Sequence, residues 1–295
     1  MKRLLIVMAL CCAGASVRAQ QGVLLISELL YQPLSGEAEY VELYNAGNTP
    51  LELADYHIVR WVGDSLGRHY VLPQHTVAPH DYVALTKDAA SVTANYTLQY
   101  LNNLVECTLP TYPNSGGSVI LASADSLIID RFDYTPSMHS RLLRNKAGVS
   151  LERRSFERPT NEASNWFSAA STAGYGTPGY ANSQSTEQLV EENSFEFSSA
   201  LLSPDGDGYQ DELEINYQLE AGDLVARAEV YNTHGLMVRR LLNNALLGTA
   251  GILRWDALGE NGQPLPEGQY IVRIIIYDTA GTRQTLRRNV ALVTR

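Results

Sequence analysis

Short hydrophobic runs broken by turn residues recur along almost the whole chain. Segments 23–30, 39–45, 52–60, 69–72, 81–86, 118–121 and 126–132 are rich in β-branched and aromatic residues. Clusters such as Asn45-Ala-Gly-Asn-Thr-Pro50 and Tyr112-Pro-Asn-Ser-Gly-Gly117 separate them. About seven strands with punctuating turns suffice for a β-sandwich. No stretch of this half has the apolar spacing of a three-turn amphipathic helix. A second set of strands is predicted over 212–219, 225–231, 237–242, 251–255, 269–277 and 285–293. Tyr270-Ile-Val-Arg-Ile-Ile-Ile-Tyr277 is the most apolar of them and is predicted to be central. Between the two sets, Ala181-Asn-Ser-Gln-Ser-Thr-Glu-Gln188 and Glu191-Glu-Asn193 are polar and free of alternation, as a linker would be. The pattern predicts an all-β chain of two sandwich domains, 22–183 and 195–295, joined by a polar linker over 184–194.

Residues 1–19 read as a signal peptide. Lys2 and Arg3 form a positive start, 4–13 an apolar run too short to span a bilayer, and Val17-Arg18-Ala19 a cleavage site. Neither Cys11 nor Cys12 has the small residue and upstream leucine that lipid attachment requires, so the mature chain is expected to begin near Gln20 without lipid. Removal of these residues deepens the charge. The chain has 22 basic and 32 acidic residues, a net −10, and loses Lys2, Arg3 and Arg18, leaving 19 against 32, a net −13. Such a chain is repelled by phosphate backbones and anionic lipid, which argues against generic nucleic-acid or membrane binding. Cys107 is the one cysteine left, so no intramolecular disulfide staples the domains. Glu106 beside it would raise its pKa, and it reads as a small buried side chain.

Several motifs occur in an order that resembles a known family. Ile26-Ser-Glu-Leu-Leu, Glu39-Tyr-Val-Glu-Leu-Tyr-Asn45, Gly148-Val-Ser-Leu-Glu-Arg153, Asn165-Trp-Phe-Ser-Ala-Ala and Gly176-Thr-Pro-Gly-Tyr-Ala-Asn182 together resemble the lamin-tail domain in its bacterial secreted form. The resemblance covers 22–183 and implies an immunoglobulin-like sandwich that binds or scaffolds. Ser203-Pro-Asp-Gly-Asp-Gly208, Val230-Tyr-Asn-Thr-His-Gly235, Leu253-Arg-Trp-Asp-Ala257 and Leu265-Pro-Glu-Gly-Gln-Tyr-Ile-Val-Arg273 resemble the immunoglobulin-like module of the flagellar hook-capping family. That module is similar to the C-terminal sorting domains of type IX secretion. Asn289-Val-Ala-Leu-Val-Thr-Arg295 departs from those domains by lacking the lysine that opens their last strand.

Candidate chemistry is sparse. Asp205-Gly-Asp-Gly-Tyr-Gln-Asp211 followed by Glu212 sets carboxylates at alternate positions on a glycine-opened turn. Asp205, Asp207, Asp211 and Glu212, with the Tyr209 carbonyl, form a candidate oxygen shell for a structural Ca²⁺; the bland alternative is an Asp-Gly turn. Glu28 and Glu42, on the first two strands, are a candidate facing pair, weighed against carboxylates that merely satisfy backbone donors. His69, His75 and His80 share one loop-rich region, as a loose metal site or as turn residues. Trp61, Trp166 and Trp255 read as core. No nucleophile elbow, phosphate loop, dinucleotide fingerprint or His-Glu-x-x-His run is present. The long segment 88–117, flanked by Tyr96, Tyr100 and Tyr112, is where a sandwich would carry a binding loop.

The sequence points to an exported, non-enzymatic binding or scaffold protein of the adhesion type. Its partner would be a cell-envelope or extracellular protein or polysaccharide, not nucleic acid, with no membrane span. The expected place is the cell surface, the extracellular space or the periplasm. The rival is a type IX cargo, or an accessory subunit of a secreted hydrolase, whose second domain is a sorting tag.

Overall fold

The computed structural model describes residues 23–62, 65–186, 190 and 192–293. The expected signal peptide lies outside them. In the first domain the chain runs β1 (Leu24–Leu30), β2 (Tyr40–Asn45), β3 (Leu51–Glu52), β4 (Tyr56–Val62), β5 (Ser65–Val71), β6 (Thr76–Val77) and β7 (Tyr82–Thr86). Helix α1 (Ala89–Asn95) follows, then β8 (Leu104–Glu106), β9 (Gly117–Ser123), β10 (Ile128–Tyr134), β11 (Leu151–Arg153) and β12 (Trp166–Ser168). A six-stranded sheet, β12-β11-β1-β2-β7-β8, packs on a four-stranded one, β10-β9-β4-β5. Leu24, Ile26, Val41 and Leu43 of the first sheet meet Ile58, Leu121 and Phe132 of the second, all fully buried. Trp166 closes this core on Phe132, their rings stacked at 3.5 Å. The motifs after residue 136 belong to the same sandwich, because β11 pairs with β1 and β12 with β11.

Two expectations change here. Segment 52–60 opens with a short 3-10 turn (Leu53–Asp55) before its strand begins at Tyr56. The stretch 88–117, read as irregular, contains α1. Asp88 caps this helix by accepting the Ser91 N–H at 3.0 Å. Seven residues are too few for a helical period to stand out in the sequence. Val92 and Tyr96 dock α1 on Leu30 and Tyr40, covering part of the six-stranded sheet's outer face.

The second domain comprises β13 (Ser194–Phe197), β14 (Leu201–Leu202), β15 (Leu213–Gln218), β16 (Val225–Asn232), β17 (Met237–Leu246), β18 (Ala250–Trp255), β19 (Gly268–Tyr277) and β20 (Arg283–Leu292). Sheet β13-β15-β18 faces sheet β14-β20-β19-β16-β17 over a core of Ile215, Leu253, Trp255, Val272 and Ile274. As expected, the 269–277 strand is interior, between β20 and β16. The two-residue β14 runs parallel to β20, and the Ala291 and Val293 N–H groups add bonds to Ala200 and Leu202.

Polar composition misleads at the start of the linker. Gln184 is fully buried, and its side-chain amide donates to Ser168 O in the first domain and Leu247 O in the second. Ser171 Oγ bonds Leu246 O, Arg154 bonds Glu220 O, and Thr249 N bonds Ser183 O. The glutamine is polar because it serves carbonyls on both sides of a domain junction. Residues 187–189 and 191 of the expected linker lie outside the described residues.

Candidate functional site

Three glutamates stand side by side on the outer face of the six-stranded sheet. Register pairs Glu28 of β1 with Glu42 of β2 on one side and with Glu152 of β11 on the other. Directly paired residues share a face. A bulge between Ile26 and Glu28 leaves Ile26 and Leu29 in the core while Glu28 points outward beside Tyr40. All three carboxyl groups are 0% exposed, because the exit segment 176–184 folds over them.

That segment supplies most of the donors. Glu28 accepts from Tyr40 OH at 2.7 Å, Thr177 N at 3.0 Å and Ser150 Oγ. Glu152 accepts from Ser183 Oγ at 2.7 Å and Gln184 N at 2.9 Å. Glu42 Oε2 accepts from Gly179 N at 2.7 Å, while its Oε1 is buried without a partner. Gly179 is required there. Its φ of +82° is left-handed, and a Cβ would lie 2.9 Å from that of Asn103. The Thr177 hydroxyl lies 3.1 Å from Glu28 Oε2 and 2.9 Å from Glu152 Oε1. It has one hydrogen, so bonding to both oxygens needs a proton on one of the carboxyls. Burial raises all three pKa values despite the donors. The Glu28 charge raises Glu42 further, and Glu152 reaches about 8.

Sequence reasoning found two members of this row and missed Glu152. Glu28 and Glu42 are on adjacent predicted strands, whereas the pairing of β1 with a strand some 120 residues later is a property of topology. The Gly176-Thr-Pro-Gly stretch carried the usable signal, as a rigid turn next to the SLER strand.

In the acidic loop, Asp205, Asp207 and Asp211 each offer a carboxylate oxygen within 4.8 Å of the other two. The backbone brings them together. Asp211 accepts the Gly206 and Gly208 N–H groups at 2.8 Å each, and Asp207 accepts that of Tyr209 at 2.8 Å. Carboxylate oxygens have further lone pairs, so this set keeps capacity for a hard cation. Glu212 stands apart, because Arg254 on the neighbouring strand approaches it at 3.8 Å. Tyr209 is 60% exposed and its side chain takes no part.

The histidines do not assemble. His69 contacts His57 at 3.2 Å, whereas His80 bonds Tyr44 and Asn48. Burial pushes the Cys107 thiol up to about 11, with Glu106 adding to it. Trp166 and Trp255 are buried, and Trp61 is half-buried beneath Arg131.

Residues 18–136 match the family model of the Lamin Tail Domain. No curated protein matches the sequence. Among solved structures, FlgD from P. aeruginosa is 16% identical, covering 35% of this chain and 69% of its own, with a TM-score of 0.24. Dimeric latent PorU from Porphyromonas gingivalis is 8% identical over 96% of this chain and 21% of its own (TM-score 0.28). PorZ of the same organism, described as an essential surface component of the type-IX secretion system, is 15% identical over 91% of this chain and 30% of its own (TM-score 0.26). The chain thus spans less than a third of PorU and PorZ. No helix among the described residues is long and apolar enough to cross a membrane.

Proposed function

We propose, from the premise that the first domain of this chain is a lamin tail domain, that the protein is an exported, non-enzymatic binding or scaffold protein of the cell envelope or surface. The sealed carboxylate row carries this reading. General acid–base work requires a carboxyl group that substrate or water can reach. Glu28, Glu42 and Glu152 are 0% exposed and engaged with the exit segment. Their role is to seat residues 176–184 and hence the domain junction, which leaves recognition to outer surfaces. The Asp205, Asp207 and Asp211 loop is proposed to hold a structural Ca²⁺.

Fractionation of producing cells, N-terminal sequencing and intact-mass measurement test the reading. The expected product is a full two-domain chain outside the cytoplasm that begins near Gln20. A full-length cytosolic protein would overturn it, and diacylglycerol on Cys11 or Cys12 would overturn the unlipidated start near Gln20 and make the protein membrane-anchored. The hydrogen bonds from Gln184, Ser171 and Arg154 to the second domain favour a resident module over a removable tag. Cleavage near 195–205 would instead establish the sorting role.

A further inference from the structure

One sheet face of this acidic chain is crowded with arginine. On the outer side of the five-stranded sheet, register sets Arg240 opposite Glu229, Glu229 opposite Arg273, and Arg273 opposite Arg287. Residues paired this way share a face. Arg227, two residues from Glu229, and Arg283, opposite Tyr277, extend the row along the strands. The opposite side of β16 is core, with Ala228 and Val230 fully buried. Five arginines therefore share this face with one glutamate. Glu260, at the edge, is engaged with the Arg240 backbone N–H.

Glu229 fixes the geometry. Only 1% exposed, it accepts from Arg227 Nε, Arg273 and Tyr231 OH at 2.7, 2.7 and 2.6 Å, with Arg240 Nε at 3.7 Å. Burial alone would raise its pKa, and the bonds from Tyr231, Arg273 and Arg227 reverse that, holding it near 2. Three guanidinium groups around one carboxylate leave positive charge over. Side chains of Arg227, Arg240 and Arg273 remain 38%, 32% and 28% exposed. The Arg240 and Arg273 Nε atoms are buried without a hydrogen-bond partner. Arg273 directly opposite Arg287 is a like-charge pair, destabilising on its own. An anion laid on this face offsets that cost.

The arrangement also selects the kind of anion. Guanidinium groups match carboxylates through paired N–H donors. Arg287 and Arg273 lie on adjacent strands, roughly 4.8 Å apart, and Arg240 lies two strands beyond Arg273 with Glu229 between them. Positive charge thus recurs across the face, which suits anions repeated along a linear polymer. The one aromatic ring at the centre is not free to anchor a protein partner, because Arg273 covers Tyr231 at 4.6 Å. The same covered ring leaves no free platform at the centre for stacking nucleic-acid bases. We infer that this face binds a linear acidic polysaccharide, its carboxylates lying across Arg240, Arg273 and Arg287 with Arg227 alongside. The inference rests on the envelope reading above and names the partner's class.

Oligogalacturonate titrated into the full-length protein, by calorimetry at low and moderate salt, tests it. Binding is expected, weakening as salt rises, with neutral dextran inert. Arg287→Ala, an exposed change outside the Glu229 cage, should weaken binding severalfold, and Arg273→Ala with Arg287→Ala about tenfold or more. Glu229→Gln adds positive charge but frees the arginines, and should also weaken binding once its fold is verified by melting temperature. Tighter binding by that variant would reduce the face to diffuse attraction and overturn the built site. Poly-glutamate or single-stranded DNA bound as tightly as oligogalacturonate would overturn the polysaccharide, as would no binding at all. A surface-located protein indifferent to oligogalacturonate overturns this inference alone; a cytosolic chain that binds it overturns the envelope reading alone.

Discussion

Thr177 offers one hydroxyl hydrogen to oxygens on two buried acids, and the consequence is a proton held inside the first domain. The folded pKa values of Glu28, Glu42 and Glu152 are raised, so their stabilisation is fully present below the unfolded value of about 4.3 and is lost as pH rises through the folded values. For Glu152 that window ends near 8. The first domain's stability should therefore fall between pH 5 and 9, by up to about 1.4 kcal/mol per pH unit for each proton released, and its melting temperature with it. Glu42→Gln, which makes the neutral form permanent, should flatten the decline at little cost near pH 7. A melting temperature that rises across this range would exclude the shared proton. For the acidic loop, Ca²⁺ should raise and chelator lower the second domain's transition by mass action. Asp207→Ala should abolish the difference, and equal transitions of the parent under both conditions would remove the metal. Cys107 should resist iodoacetamide at pH 8 until denaturant unfolds the chain.

At the level of elements, β12 shows how much three residues can hold. Trp166 is 2% exposed and stacked on Phe132, and its indole N–H donates to Thr160 O at 2.6 Å. Trp166→Ala should cost the first domain about 3–5 kcal/mol, readable in urea unfolding. Strands such as β2 and β19 were legible because each is a run of β-branched and aromatic residues between clear turns. Helix α1 was not legible, since its seven residues owe their shape to the Asp88 cap and to docking on Leu30 and Tyr40. The carboxylate row was half legible. Glu28 and Glu42 lie on consecutive strands of the sheet, but Glu152 joins them only once β11 is placed beside β1.

Over the whole molecule, net charge and composition proved poor guides to place. The total of −10 gave no hint of an arginine face, because five arginines are scattered between residues 227 and 287 and only sheet register gathers them. Composition likewise marked Gln184 as linker, although it bridges Ser168 and Leu247. Gln184→Ala removes both bonds and leaves two buried carbonyls short of a donor. It should cost roughly 1–3 kcal/mol, visible in calorimetry as two transitions drawing apart. Limited proteolysis of the parent should spare 177–186, whose backbone is tied into both domains.

The parallel contact of β14 with β20 gives the second domain a mechanical polarity. Load passing from the first domain reaches β14 from its N-terminal side, after β13 and its pairing with β15, and a pull beyond Val293 leaves β20 at its C-terminal end. Strands that run the same way and are drawn from opposite ends slide past one another. The bonds at Ala200, Leu202, Ala291 and Val293 then bear tension together instead of parting one by one. A few rungs arranged this way resist stretching far better than the same number unzipped.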